Sequence, residues 1–411
     1  MINLKLAFLN VFRNKRRTIL TAASIISGFL TIVMVGGYYE YNYWGLRESM
    51  IRSQMAHIQV FKMDYLKNKE VDPFHTMIAN PEEVIDLINK DSRVSVVAKR
   101  LEYWGVLQSD TGEGRIVNIR GIQPEEESMI FTFFTAKNGR ELSSKSYGEL
   151  EIGTALAEME GLNLGDYLFL TTVTANGEQN SDEYSLRGTV SSYSSEFDEI
   201  LVNMHFDDAA FLADVEGAQE IVVLLNDTDM TQKVVKDLRD AFAEKGWELE
   251  VTTWLDRAGY YRQVVDYYSV FYRIILFIAI IVAFFSSLNS LLMSTMERIS
   301  EFGTMRSFGV TRGNIFGVLI MEAIILGVLS GLLGTASSTL FVFIIEMMGG
   351  IPLPAPPGMS TDIFVRIMVT PKLFFTGWVI AIAVPFVALI IVSTRTMGMK
   401  IIDQIIYNEL K

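Results

Sequence analysis

Glu297-Arg298-Ile299-Ser300-Glu301-Phe302-Gly303-Thr304-Met305-Arg306-Ser307-Phe308-Gly309-Val310-Thr311-Arg312 is the stretch on which the fold turns. The 23 residues before it, 274–296, carry no charge, and in residues 313–345 after it Glu322 is the only charged side chain. Each run is long enough to cross a hydrocarbon core of about 30 Å at about 1.5 Å per residue. The sixteen residues between them are too few for a folded domain. Glu297, Arg298, Glu301, Arg306 and Arg312 recur at spacings near three and four, which predicts a short helix lying along the membrane surface, broken up at Gly303 and Gly309. Such a helix between two spans is placed to be gripped by a soluble partner and to pass its movement into the bilayer.

Working outward, residues 18–39 and 373–394 are further uncharged runs of 22 residues each, so the chain has four predicted spans. Half of the 411 residues are apolar. The mean hydropathy of +0.28 is high for a water-soluble protein but too low for one wholly in the membrane. Lys and Arg set the orientation: residues 1–17 hold five (Lys5, Arg13, Lys15, Arg16, Arg17), the connector three, and the tail Arg395, Lys400 and Lys411. The loop 346–372 holds only Arg366 and Lys372, which predicts cytoplasmic termini and connector, with residues 40–273 outside. The basic start followed by a long apolar run, without a small-residue cleavage pattern, predicts a retained signal anchor, and residues 1–17 an interfacial amphipathic helix. The outer segment has 22 basic against 41 acidic residues, a net charge of −19, so it repels nucleic acid. It has no cysteine and is large enough to fold without disulfides.

Within the outer segment, 57–61 alternates as a strand, Asn80-Pro81-Glu82-Glu83 opens a short helix, and 94–98 reads as a second strand. The same order recurs as a strand at 220–225, a helix over 231–245 closed by Gly246, and a strand at 247–253. Two porter-like βαβ units, 57–100 and 216–255, are thus expected around a mostly β insertion, 101–215, whose Asn138-Gly139 and Asn176-Gly177 mark turns. Tyr38, Tyr39, Tyr41, Tyr43 and Trp44 suit an interfacial belt. The aromatic run from Tyr260 to Tyr272 starts too far ahead of residue 274 for a belt alone, which predicts that the first two spans continue outward and pack together.

A search for chemistry finds little. No Gly-x-x-x-x-Gly-Lys-Ser/Thr loop is present to cradle a nucleotide phosphate. His57, His75 and His205 stand apart without cysteines or paired carboxylates at ligand spacing, so neither a metal site nor a catalytic residue is expected. Small residues recur every four positions as Ala23-Ser27-Thr31, Ser286-Ser290-Ser294 and Ala323-Gly327-Gly331-Thr335, marking helix-packing faces within the chain or between copies. Glu322 is expected to be held by a hydrogen bond to a neighbouring span.

Glu297-Arg298, Glu301, Gly303, Arg306, Gly309, Ile315, Glu322-Ala323, Gly327, Gly331 and Gly334 together resemble the signature of the MacB and FtsX type of ABC-transporter permease. His57-Ile58-Gln59-Val60 with Tyr65 is more narrowly similar to the lipoprotein-releasing permeases LolC and LolE. The resemblance implies an α-helical membrane protein with four transmembrane helices and a large extracytoplasmic α+β domain, in the bacterial cytoplasmic (inner) membrane. It implies that Glu297, Arg298, Glu301, Gly303, Arg306, Gly309 and Arg312 couple to a separate cytoplasmic ABC ATPase that binds ATP and Mg, no cofactor being held by this chain. A second permease copy or related permease, membrane lipid and a periplasmic acceptor protein complete the implied partners. The implied function is mechanotransmission to an amphipathic cargo outside the membrane plane; the alternative is an FtsX-like regulator of cell-wall hydrolases that moves nothing. The tail, Lys400-Ile401-Ile402-Asp403, departs from the family pattern in lacking a proline.

Overall fold

The computed structural model describes residues 10, 13, 15–69, 71–109, 114–132, 135–192, 195–353 and 363–399. The helix expected over 1–17 and the tail expected over 395–411 lie largely outside them. Two compact units are present: an outer unit of residues 45–263 with 353–363, and a helical unit of residues 1–44, 264–352 and 364–411.

In the outer unit, strands β1 (Ile58–Lys62), β2 (Val94–Ser109), β9 (Glu220–Leu225) and β10 (Leu249–Thr253) lie in the order β10-β1-β9-β2, with every neighbouring pair antiparallel. Helix Pro81–Ile88 connects β1 to β2, and helix Thr231–Lys245 connects β9 to β10. The two βαβ units are therefore interleaved rather than set side by side, each inserting one strand between the strands of the other, which is the ferredoxin-like arrangement. Both faces of this sheet are covered. Ile221, Val223 and Leu225 of β9 pack with Val84, Ile88, Val234, Leu238 and Phe242 from the two helices. Val222 and Leu224 face the opposite way, onto Ile51, Ile130, Phe131 and Trp254. That explains why Glu220-Ile221-Val222-Val223-Leu224-Leu225 does not alternate. Gly246 closes the second helix at φ +68°, a left-handed position where glycine has no Cβ clash. Pro81 opens the first, but the side chain of Asn80 makes no capping hydrogen bond.

The β insertion is not separate from this sheet. The expected boundary between residues 100 and 101 falls inside β2, whose first half pairs with β9 and whose second half pairs with β3 (Arg115–Ile122) and β6 (Tyr167–Val173). With β5 (Glu149–Gly153), β7 (Gln179–Ser191) and β8 (Leu201–His205), the pairings run β2-β3-β8-β5-β7-β6 and return to β2. Six strands thus close on themselves around Leu101, Val117, Ile119, Leu150, Ile152, Leu168, Leu170 and Val202, and closure leaves no open edge between them.

Where the two halves of β2 meet, a buried charge network joins Arg100 of β2 and Arg120 of β3 to Glu127 on the helix Pro124–Ile130. The Glu127 carboxylate accepts from the guanidinium groups of Arg100 and Arg120, each at 2.9 Å. Arg100 also stands 3.7 Å from Glu220, which Arg257 reaches at 3.0 Å. At the other end of β9, the Leu225 amide donates to His57 Nδ1 at 3.1 Å and His57 Nε2 meets Thr228 Oγ1 at 2.9 Å. Burial pushes the pKa of His57 down to about 4, which keeps the ring neutral.

The helical unit is built from spanning helices Lys15–Met50, Gly259–Glu297, Arg312–Met347 and Pro371–Met397. Each has the length and apolarity to cross a membrane. The first continues through a π-helical turn, Ile51–Met55, to Ala56, whose φ of +53° ends it. The Tyr39 ring lies 5.4 Å from Tyr268 and 6.0 Å from Tyr272, and Tyr43 Oη approaches the Val265 carbonyl at 3.5 Å. The aromatic run therefore does pack on the first helix, but only along one side, since Tyr267, Val270 and Phe271 are exposed.

Candidate coupling site

The connector forms a helical hairpin with the start of the third spanning helix. The second spanning helix ends at Glu297, Arg298 interrupts it at φ −105° and ψ 12°, and a connector helix, Ile299–Ser307, follows. Its buried Phe302 packs with Ile315, Leu319 and Ala323 from the first turns of the third spanning helix, and with Leu389 of the fourth. The connector helix thus runs back alongside the spanning helix that follows it. Nine residues at about 1.5 Å each put the turn at Phe308-Gly309-Val310 about 14 Å from Arg298. Gly309, at φ +89°, makes that turn, and the Thr311 hydroxyl accepts from the Asn314 amide at 3.3 Å to start the next helix. Gly303, expected to break the connector helix, lies within it and is buried.

At the base of the hairpin, Arg298 Nη1 donates to both Glu322 oxygens, at 2.9 and 3.2 Å, and Arg298 Nε reaches Glu301 at 3.3 Å. The Asn10 amide donates to Glu322 at 2.7 Å and the Arg13 guanidinium to Glu301 at 2.9 Å. Three parts of the sequence meet here: the N-terminal stretch, the connector and the third spanning helix. The expected hydrogen bond from Glu322 to a neighbouring span is corrected: its charged partner is Arg298, at the start of the connector. The third spanning helix has 36 residues, against the roughly 20 a hydrocarbon core needs, which leaves room for Glu322 to lie at the membrane interface. An ion pair there avoids an isolated charge in lipid.

The remaining expected residues separate into two groups. Arg306 donates to the Met399 carbonyl at 3.1 Å, tying the hairpin to the end of the fourth spanning helix, while Glu297 and Arg312 are exposed. Gly327, Gly331 and Gly334 pack inside the bundle. A Cβ on Gly327 would stand 2.7 Å from the Ala381 carbonyl, one on Gly331 2.8 Å from the Trp378 ring, and one on Gly334 2.7 Å from the Phe29 ring. Ala323 is buried against the connector. In the first span the packing face is Ile25, Gly28, Phe29, Ile32 and Val33, while Ala23 and Ser27 of the expected small-residue stripe are exposed. Sequence reading passed over Met305, Phe308 and Val310, apolar residues exposed around the hairpin tip, with Phe308 at 85%. Their signal was available: a solvated connector has no need of Phe308 beside a turn glycine. Among the described residues, no His, Cys, Asp and Glu group could hold a metal ion.

Residues 18–241, more than half of the chain, match the family model for the MacB-like periplasmic core domain, and residues 273–401 match that for the FtsX-like permease C-terminal region. The chain belongs to the MacB and FtsX type of permease. As a member of that family it is a multi-pass inner-membrane protein of the ABC-transporter permease class, a class that implies an ATPase partner. The lipoprotein-releasing system transmembrane protein LolC of Neisseria meningitidis serogroup B is 25% identical over 244 residues, which are 56% of this chain and 56% of that relative. The match therefore spans little more than half of LolC. The periplasmic region of MacB from Actinobacillus actinomycetemcomitans is similar with a TM-score of 0.38 at 12% identity, over 54% of this chain and 95% of that one. The extracellular domain of YknZ, a noncanonic ABC-type transporter from Gram-positive bacteria, is similar with a TM-score of 0.35 at 15% identity, over 48% and 99% respectively.

Proposed function

We propose that this permease takes mechanical work from a separate cytoplasmic ABC ATPase, which binds ATP and Mg, and applies it to an amphipathic cargo outside the membrane plane: a lipoprotein, lipid or hydrophobic peptide. The observation that carries this is the hairpin. Its tip presents Met305, Phe308 and Val310 to solvent beside Arg306 and Arg312, and its base is fixed to the third spanning helix by Phe302 and the Arg298–Glu322 pair. A partner that grips the tip moves a rigid lever and not a loop. Glu297, Arg298, Glu301, Gly303, Arg306, Gly309 and Arg312 then form two sets, with Glu297, Arg298, Glu301 and Gly303 in the base and Arg306, Gly309 and Arg312 on or near the contact surface. The Lys and Arg distribution supports cytoplasmic termini and hairpin. Exposed Ile274, Phe277, Ile281 and Phe285 on the second spanning helix suit lipid or a second permease.

Phe308→Asp tests the proposal. The residue is exposed, so the variant should fold and reach the membrane at normal levels yet lose copurification of the ATPase by at least tenfold. Full retention of the ATPase and of its cargo-stimulated turnover in Phe308→Asp and Arg306→Glu together would refute the assignment. Stable lipid or lipoprotein in the purified complex supports transport. A cell-wall hydrolase alone in its place supports the regulator.

A further inference from the structure

A cavity of about 710 Å³ opens in the outer unit, lined by the end of β1, the start of β9 and the middle of β2. Small-molecule sites run to roughly 300–1,000 Å³. Phe61 organises its inner wall. The Tyr65 ring stacks on the Phe61 ring at 5.3 Å, and the Arg257 guanidinium also stands 5.3 Å from the centre of that ring. Tyr65 is only 5% exposed, yet its hydroxyl makes no hydrogen bond among the described residues and still reaches open space. Arg257 engages Glu220 through Nη1 at 3.0 Å, while its Nε and Nη2 donate to no described residue. Lys69, exposed at the rim, has no acidic partner among the described residues.

The acids of the lining are already answered. Glu220 has Arg257 and, at 3.7 Å, Arg100; Asp72 accepts from the Phe74 and His75 amides at 3.1 Å each; and Glu102 accepts from the Asn118 amide at 3.3 Å. The groups left open are donors, a phenol and two cations, so the ligand supplies anionic oxygens. Burial raises the Tyr65 pKa above the usual phenol value, with Glu220 and Glu102 adding and Arg257 opposing, so the hydroxyl keeps the proton it donates.

The outer wall is apolar. Trp104 of β2 is 58% exposed, and Val71 and Val173 beside the same cavity are 90% and 60% exposed. Leu101, Tyr103 and Leu107 of β2 pack in the barrel core, so Trp104 and Val106 belong to the solvent side, where Val106 stands opposite the exposed Ile116 of β3. Apolar side chains in a row on a solvated face suit an apolar cover. Donors at the inner end and an apolar track at the mouth match a head and a tail. We propose that this cavity binds an anionic single-chain lipid, its head held by Tyr65 and Arg257 and its chain laid against Trp104 and Val173. The site names a class of cargo and rests on the transport reading for its role, but not for the binding itself.

The full chain in lipid nanodiscs, labelled with fluorotryptophan, would be titrated with decanoate, decylammonium and acetate and followed by fluorine NMR. The signal missing from Trp104→Phe identifies Trp104. Decanoate should shift that signal saturably and bind at least tenfold more tightly than the other two. Tyr65→Phe removes a hydroxyl that the folded chain leaves unbonded, so the melting temperature should hold while decanoate affinity falls about tenfold, the worth of one hydrogen bond to a charged group. Arg257→Gln should weaken binding by at least as much, and Tyr65→Phe carries the test if Arg257→Gln fails to fold. A Trp104 shift that never saturates, an equal response to decylammonium or acetate, or unchanged affinity in folded Tyr65→Phe would each overturn the proposal. No ATPase takes part in this measurement, so failure here leaves the hairpin assignment standing, and failure of the hairpin assignment leaves the binding.

Discussion

Each unit contains a buried arginine–glutamate network, and the two are built differently. In the outer unit Arg100, Arg120 and Glu127 are all nearly inaccessible, and the two arginines come from neighbouring strands of one continuous pairing scheme. In the helical unit Arg298 and Glu322 are similarly buried, but the network continues outward to Glu301, whose side chain is 40% exposed, and Arg13, at 58%. The first network ties the helix Pro124–Ile130 to strands already fixed by their ladders. The second joins segments that no ladder holds: the N-terminal stretch, the hairpin and the third spanning helix. Ion pairs of the same chemistry therefore reinforce contacts that ladders already fix in one place and supply the link between separate segments in the other.

The sharpest way to break the comparison is to remove the shared acid of each network. Glu127→Ala leaves two buried guanidinium groups facing each other and should cost about 3–5 kcal/mol, seen as a lower unfolding temperature of the full chain with ATPase coupling intact in the molecules that remain folded. Glu322→Ala leaves Arg298 with Glu301 as its remaining acidic partner and should cost less, its larger effect being on coupling. Arg298→Glu and Glu322→Arg should each uncouple ATPase turnover, and the double reversal should recover part of it. A double variant no better than the singles would mean that the pair is not the link.

Titration gives a second comparison, within the outer unit. The pKa of His57 is lowered from 6.5 to about 4, so its contribution is full above pH 6.5 and is lost as pH falls toward 4. For Glu151 the pKa is raised from 4.5 to about 7, so its contribution is full below pH 4.5 and is lost as pH rises toward 7. Each is on the order of 3 kcal/mol, and they oppose one another between pH 4.5 and 6.5. Denaturation midpoints should show it: His57→Gln should make stability fall with rising pH in that window, and Glu151→Gln should make it rise. Parallel profiles for both variants would contradict these environments. The smallest effect belongs to the exposed edge of the link, where Arg13→Ala should cost less than about 1 kcal/mol of stability, because solvent screens the Arg13–Glu301 pair. Any larger loss should appear in coupling and not in the melting temperature.

Between the extremes lies helix packing. Gly331→Leu places a side chain against the Trp378 ring and should destabilise the bundle by about 1–3 kcal/mol, whereas Ala23→Leu, on the exposed side of the first helix, should not. A matching loss at both positions would show that the Ala23 face is covered in the assembled protein.

What the sequence determined by itself is what a short window of chain can encode. Uncharged runs of more than twenty residues have only the membrane in which to hide, so the four spans were legible, and so was the charged connector between the second and third. The period of apolar residues likewise fixed the strand and helix content of both βαβ units. The tertiary structure decided everything that depends on which distant segments meet. The interleaved order β10-β1-β9-β2, the closure of six strands through the second half of β2, and the attachment of Arg298 to Glu322 all join residues whose separation leaves no trace in local periodicity. Gly303 shows the limit from the other side. In isolation glycine weakens a helix by about 1 kcal/mol, but the burial of Ile299 and Phe302 in the turn before it outweighs that preference.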